Sequence, residues 1–356
     1  MSAIIPNIKT SSSIFTAPLV NPKDYDKVIL WFSGGKDSIA CYLSLLETGF
    51  KPEQIELHHH LVDGSPGSDN FMDWAITEDY CRAFAKAFGS EIYFSWKVGG
   101  FEREMMRDND WTAPIVYENE NHEYITTYGS KSLRFKNTRL KFPQQSASLS
   151  ERWCSAYLKC DVGDRLIRKQ IRFSGGKKYL VISGERAEES SARAKYNIFE
   201  AARSDNRNGK RLDTRRWIDQ YRVVHKWQEK LVWEIIKAYG VNPHPAYQLG
   251  FSRTSCMFCI FLGKNYLATL RKYAPDRFEI IAKKELEFGI SINRPTKNND
   301  GLFYHALADL GTPYEVDKRI LEMSLNTEYT DNILINSNDW KYPIGAFGNS
   351  SECGTI

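Results

Sequence analysis

Nowhere in the 356 residues are there about 18 consecutive apolar side chains, which excludes a helix that spans a membrane. The first twenty residues, MSAIIPNIKTSSSIFTAPLV, have no basic start and no sustained apolar run, so they do not read as an export signal. Net charge is nearly absent. The 48 Lys+Arg and 44 Asp+Glu leave +4, which excludes a uniformly basic nucleic-acid coat but not a local basic face. Cysteine is scarce and odd in number, at seven, which argues against a disulfide framework. A reducing, cytoplasmic setting is expected, in which thiols stay free, bind metal or react. What is present in quantity is core: 42% hydrophobic and 13% aromatic residues exclude a disordered chain. The length exceeds that of a usual single domain, so one large domain with insertions or an appendage is expected.

Residues 1–20 are rich in Ser, Thr and Pro and read as a flexible arm. The apolar run Val28 to Phe32 reads as a buried strand, followed by Ser33-Gly34-Gly35-Lys36-Asp37-Ser38 and a periodic helix that stops at Gly49. Further strands are expected at 54–62, 91–96 and 178–182, and helices at 73–88, 151–171, 228–239, 266–273 and 276–288. Strands alternating with helices predict an α/β fold, a doubly wound and mostly parallel sheet with helices on both faces. Residues 99–150 break this rhythm and read as an insertion, long enough to be functional. The nucleotide-binding domain is placed at 21–262, and a C-terminal helical appendage and tail at 263–356.

The hexapeptide Ser33 to Ser38, set between a strand and a helix, is the strongest signal. Glycines let backbone approach a phosphate, and the helix start offers free N–H donors and the positive end of its dipole. Ser33 and Ser38 add hydroxyls, Lys36 a cation, and Asp37 a carboxylate to orient water or Mg2+. It is not a Walker A loop, because Leu30 and Asp37 stand where that motif needs Gly and Ser or Thr. A second Ser-Gly-Gly-Lys, at 174–177, precedes a strand and lacks Asp-Ser, so it reads as a plain turn.

This hexapeptide resembles the PP-loop of the adenine nucleotide α-hydrolases, and three further stretches resemble the phosphoadenosine-phosphosulfate (PAPS) reductase family within them. Arg152-Trp153-Cys154 with Leu158-Lys159 is similar to that family's R-W-C-x-x-x-L-K helix. Gly184-Glu185-Arg186 with Glu189-Ser190 and Arg193 is similar to its G-x-R-x-x-E-S-x-x-R segment. Pro245-Ala246-Tyr247 with Gly250, Arg253, Cys256 and Cys259 is similar to its P-A-Y…G-x-x-R-x-x-C-x-x-C stretch. The resemblance spans roughly 27–262 and implies a Rossmann-like sheet with an adenine nucleotide at the C-terminal strand ends. Reductases proper resemble S-x-G-x-E-D at the loop. The intact S-G-G-K-D-S with Lys36 instead resembles the form that holds ATP and releases pyrophosphate, as in DNA phosphorothioation or tRNA thiolation. The implied activity is adenylation of a substrate for sulfur transfer, with DNA or tRNA as candidate acceptors and a sulfur-donor protein as a partner. Glu352-Cys353-Gly354 resembles the reductases' C-terminal motif, whose cysteine attacks the sulfonyl sulfur, and this keeps PAPS reduction as the alternative. A nucleotide-binding regulator without turnover is a third reading.

Cys256-Met257-Phe258-Cys259 points two thiols at one ion, at a cluster or at each other. With Cys154, and Cys160 as the candidate fourth ligand, the set suits an iron–sulfur cluster; zinc and buried free thiols are the other readings. Cys41 and Cys81 lie on predicted helices and read as core. Arg186 and Arg193 follow a strand end and suit phosphate or sulfate oxygens. From 193 to 237 there are twelve basic and six acidic residues, interleaved with Trp217, Tyr221, Trp227 and Trp233. That pattern is either a nucleic-acid face, extended by Lys131, Arg134, Lys136, Arg139 and Lys141, or a solvated surface over core aromatics. His58, His59 and His60 alternate faces on a strand and read as structural, whereas Asp63 at the strand end is a candidate nucleotide contact.

Overall fold

The computed structural model describes residues 20–128, 136–146, 148–293 and 301–348. Strands β1 (Lys27–Trp31), β2 (Ile55–Leu61) and β3 (Glu91–Lys97) are the apolar runs expected from the sequence, each followed by a glycine-marked turn. They pair in parallel, Val28 opposite Ile55 and His58 opposite Tyr93. On the other side of β1 lies β6 (Lys178–Ile182), also parallel, with Leu30 opposite Ile182. The chain therefore winds outward from β1 through β2 to β3 and returns to β1's far side. The point where it reverses, between β1 and β6, is where open α/β sheets place a ligand.

Four strands lie outside the sequence-based expectation. The insertion supplies the hairpin β4 (Ile115–Glu118) and β5 (Tyr124–Thr127), which extends the sheet antiparallel from β3. Residues read as a basic surface supply β7 (Phe199–Ala201) and β8 (Trp217–Tyr221). The eight-stranded order is β5-β4-β3-β2-β1-β6-β8-β7. Ser-Gly-Gly-Lys at 174–177 is the turn before β6, with Gly175 at φ +81° and Gly176 at φ +89° and open space around both.

Helix α1 (Lys36–Glu47) buries Ile39, Tyr42, Leu43 and Leu45, the recurrence that marks an amphipathic helix. Helix α2 (Thr77–Phe88) ends at Gly89 in the left-handed conformation, the usual glycine stop. The two helices meet edge to face through Tyr42 and Phe84, ring centres 5.3 Å apart. A short α3 (Gly100–Met105) opens the insertion. The helix expected over 151–171 is interrupted. Between α4 (Trp153–Ser155) and α5 (Asp161–Lys169) the chain makes a π-helical turn at Ala156–Cys160, a distortion common at functional sites. There follow α6 (Glu229–Ala238), α7 (Pro245–Gln248), α8 (Lys264–Tyr273), α9 (Pro275–Phe288), α10 (Tyr304–Asp309) and α11 (Lys318–Leu325). Tyr304, Ile320, Ile333 and Trp340 belong to the same buried core as Val28 and Leu57, so the C-terminal helices pack into the core around the sheet.

Gly100, which opens α3 after β3, packs against the corner that follows β2. Its φ is +54°, and a Cβ there would lie 2.2 Å from the carbonyl carbon of Asp63, whose backbone cannot yield. Gly100→Ala should lower stability by roughly 2–3 kcal/mol or more, read as a urea midpoint, from left-handed strain plus backbone overlap. Gly49→Ala, at φ +92° with nothing within 4 Å, should cost only about 1–2 kcal/mol. Equal losses in the two variants would contradict the placement of Gly100.

Candidate active site

The loop after β1 is held by its own hydroxyls. Ser38 Oγ donates to the Gly35 carbonyl at 2.8 Å and accepts from the Ser33 N–H at 3.3 Å, and the Gly35 N–H donates to Ser33 Oγ at 3.3 Å. Gly34 needs its missing side chain: φ is +73°, and a Cβ would meet Cys81 Sγ at 3.0 Å and Tyr80 of α2 at 3.2 Å. A Cβ on Gly35 would press on Thr254 Oγ1 at 3.0 Å. The loop thus lies flat between α2 and the 244–254 stretch, with Lys36 at the start of α1.

Lys36 is buried, and its partners come from distant segments. Its backbone N–H donates to Tyr247 OH at 2.9 Å and its Nζ to the Ser252 carbonyl at 3.1 Å. Glu229 Oε1 lies 3.4 Å and Asp37 Oδ2 3.7 Å from Nζ. Burial works against its charge, but Asp37, Tyr247 and Glu229 together hold the ammonium above the ordinary lysine range. Asp37 in turn accepts from Arg186 Nε at 2.6 Å. Burial works against its ionisation too, yet Lys36 and Arg186 outweigh it and keep the carboxyl below the ordinary aspartate range. Arg186, 3% exposed, also pairs with Glu188 and donates to the Trp227 carbonyl at 3.4 Å. Gly184 permits this approach, since a Cβ there would sit 3.2 Å from Asp37 backbone. Arg193 pairs with Glu189, which also accepts the Arg186 N–H at 2.8 Å, and its charge acts on Asp37.

Ser33, Gly34, Gly35, Lys36, Asp37, Ser38, Gly184, Arg186 and Arg193 are therefore brought to one place at the β1–β6 reversal. Tyr247, Glu229, Ser252 and Thr254 join them without any sequence signal for that role. The Pro-Ala-Tyr motif marks Tyr247, but the chain between 36 and 247 hides its partner.

Beside the loop, at the end of β2, a cavity of about 150 Å³ is lined by Asp63, Asp73, Trp74, Thr77 and Glu78. Asp63 Oδ2 accepts the Met72 and Asp73 N–H groups at 2.9 and 2.8 Å, while its buried Oδ1 has no hydrogen-bond partner among the described residues. Burial raises Asp63 to about 6 and, with the charge of Asp63 added, Asp73 to about 7. A carboxyl whose folded pKa is raised supports the fold fully below its unfolded value, near 4, and loses that support as pH rises through 7. Unfolding midpoints should therefore fall between about pH 4 and 7, and Asp73→Asn should flatten that fall by a few kcal/mol. An unchanged slope in the variant would contradict the assignment.

The cysteines divide differently from the expectation. Burial pushes the Cys154 thiol up to about 11 and Cys256 well above its ordinary value, with Cys259 acting on both. Lys159 is the cation they share with Asp73. Cys160 is exposed and faces Glu185 and Arg203 instead. Among the described residues no three His, Cys, Asp or Glu side chains gather as a metal site. Cys154, Cys256 and Cys259 act on one another while Cys160 lies apart from them, and no step is derived through a metal there. Cys41 and Cys81 are fully buried core thiols. Cys353, Lys131 and Arg134 lie outside the described residues.

Several arginines of the 193–237 stretch are paired with carboxylates. Arg203 reaches Asp164, Arg207 reaches Asp205 and Asp219, Arg211 reaches Asp213, and Arg222 reaches Glu200. Tyr221, Trp227 and Trp233 are core residues; only Trp217 is exposed, with Lys178 and Arg207 against its ring. His58, His59 and His60 are tied to Glu56, the Phe32 carbonyl and Ser95 within the sheet. Among the described residues no helix is long and apolar enough to cross a membrane.

The sequence profile described as "Phosphoadenosine phosphosulfate reductase domain" matches residues 109–261. A protein of Escherichia phage 186, described as an uncharacterized 37.8 kDa protein, is 32% identical over 276 residues, 72% of this chain and 74% of that one. Among solved structures, Candida glabrata FMN adenylyltransferase with FAD and inorganic pyrophosphate is similar at TM-score 0.35 and 9% identity, covering 97% of this chain and 84% of that one. The same enzyme with FMN and an ATP analogue gives TM-score 0.34 and 11% identity, covering 92% of this chain and 79% of that one. Likeness at that level constrains neither fold nor site.

Proposed function

The chain belongs to the phosphoadenosine phosphosulfate reductase family, and from that premise we propose that it is a PP-loop enzyme that binds ATP, releases pyrophosphate and adenylates an acceptor for sulfur transfer. One observation carries the reading: Lys36 stands at the start of α1 with Asp37 3.7 Å from its Nζ, and Arg186 is locked onto Asp37 at 2.6 Å. ATP would lay its β- and γ-phosphates on the loop, where Lys36 exchanges its carboxylate partners for phosphate oxygens. An acceptor oxygen attacks the α-phosphorus, the bond to the bridging oxygen breaks, and pyrophosphate leaves with the negative charge that Lys36 and Arg186 stabilise. The acceptor's proton passes to solvent. Asp37 Oδ2, opposite the oxygen that Arg186 holds, is the donor available to a Mg2+ ion arriving with ATP. The cavity at Asp63 and Asp73 suits the nucleoside end or part of the acceptor rather than a whole nucleotide, which would need several hundred Å³.

The test is pyrophosphate release from ATP with DNA, tRNA and small-molecule acceptors. Release that depends on an acceptor and is lost in Asp37→Asn supports the reading. Sulfite formed from PAPS and thioredoxin, with no pyrophosphate from any acceptor, transfers the assignment to reduction through Cys353.

A further inference from the structure

A second cluster of buried charge lies on the same rim of the sheet, at the end of β3, and the loop chemistry does not use it. Lys97, Arg107 and Arg139 are buried side chains, and all three stand against the ring of Tyr157, at 4.9, 5.9 and 4.6 Å from its centre. Tyr157 belongs to the π turn that also carries Lys159. A single carboxylate, Glu104, faces the three cations: Oε1 lies 3.7 Å from Lys97 Nζ, and Oε2 lies 3.5 Å from both guanidinium groups. That carboxylate is already engaged, accepting from Thr112 Oγ1 at 2.5 Å and from the Ala113 N–H at 3.2 Å. Asp161 and Arg165 act on Lys97 from further out with opposite signs. Two positive charges therefore remain uncompensated in a buried place, which is costly unless something pairs with them.

The donors point the same way. The Nε–H groups of Arg107 and Arg139 are buried and have no hydrogen-bond partner among the described residues. Burial also pulls Lys97 down to about 8 even with Glu104 beside it. Planar guanidinium forks beside an ammonium match a tetrahedral oxyanion rather than a single carboxylate.

We propose that Lys97, Arg107 and Arg139, gathered on Tyr157, form a second anion site that takes a dianionic phosphate or sulfate group. β3 stands two strands from β1, about 10 Å along the rim. An anion there lies within reach of a substrate that also occupies the loop. The insertion contributes Arg107 and Arg139, which gives it a role in choosing the substrate.

The test uses full-length protein carrying Lys36→Met, so that the loop's own cation does not report. Thermal unfolding is followed against inorganic sulfate at ionic strength held constant with chloride. The expected result is a saturable rise in midpoint, with half-saturation shifted about tenfold or more to higher sulfate by Arg139→Gln, as loss of a charge-assisted contact requires. Because the substitution relieves repulsion, the variant should also be at least as stable as its parent in chloride alone. No saturable rise in the parent, or an unchanged half-saturation in the variant, would overturn the proposal. Arg107→Gln, read by calorimetric titration of sulfate, repeats the test if Arg139→Gln fails to fold, with the same tenfold criterion. ATP titration of Arg139→Gln with Lys36 intact separates the sources: weakened ATP binding assigns the site to a nucleotide phosphate, and unchanged binding to a separate anion. The outcome does not depend on whether ATP is the nucleotide turned over.

Discussion

Lys36→Met should lower pyrophosphate release about 10²–10³-fold, the effect of removing one preorganised donor from a developing anion. Methionine keeps the length and the apolar stem of lysine, so packing beneath Tyr247 survives. The charge is what disappears. Asp37 retains Arg186 at 2.6 Å, so no carboxylate in the loop is left without a cation. The stability change should therefore be small and the activity change large. If the variant turns over normally, the ammonium does not touch the reacting phosphates. If instead it unfolds, Lys36 is a structural tie between α1, Glu229 and the Ser252 carbonyl. Activity and urea midpoint measured on one preparation tell these cases apart.

Arg186→Met should damage both properties. Its guanidinium is the hub for Asp37, Glu188 and the Trp227 carbonyl, and its own side chain is only 4% exposed. Removing one partner of a buried pair costs about 3–5 kcal/mol. The lower end is expected, since Asp37 keeps 24% of its side chain exposed and Lys36 nearby. With Arg186 gone, Asp37 also loses a cation that holds its carboxyl ionised, so its pKa should rise toward the ordinary range. Any remaining activity should then fall off on the acid side at higher pH than in the parent. Arg186→Lys keeps the charge without the fork and should recover stability more than turnover. A variant with parental stability and an unmoved pH profile would contradict the pairing.

The parallel half of the fold was legible because buried strands write themselves as unbroken apolar runs. Val28 to Phe32 and Lys178 to Ile182 each needed nothing beyond their own residues. β5, β7 and β8 were not legible for the converse reason. Tyr124, Phe199 and Trp217 are exposed at or near the edges of the sheet, so their segments alternate weakly and read as surface. The π turn at Ala156–Cys160 inserts an extra residue into a helical repeat, which side-chain spacing does not reveal. In the site, the loop and the Gly184–Arg186 segment carried local signals, and they meet as those signals implied. Tyr247 and Glu229 reach Lys36 only through the fold. Cys154, Cys256 and Cys259 come from two distant stretches and act on one another only through the fold, whereas Cys160 faces Glu185 and Arg203.

Pyrophosphate release from ATP and transfer of its adenylyl group to the acceptor, followed together across DNA, tRNA and small-molecule acceptors in the parent and in Lys36→Met, tests the central claim most directly. The account predicts equimolar products that require one class of acceptor and fall at least about a hundredfold in the variant. Pyrophosphate absent with every acceptor, or formed equally well without Lys36, would contradict it.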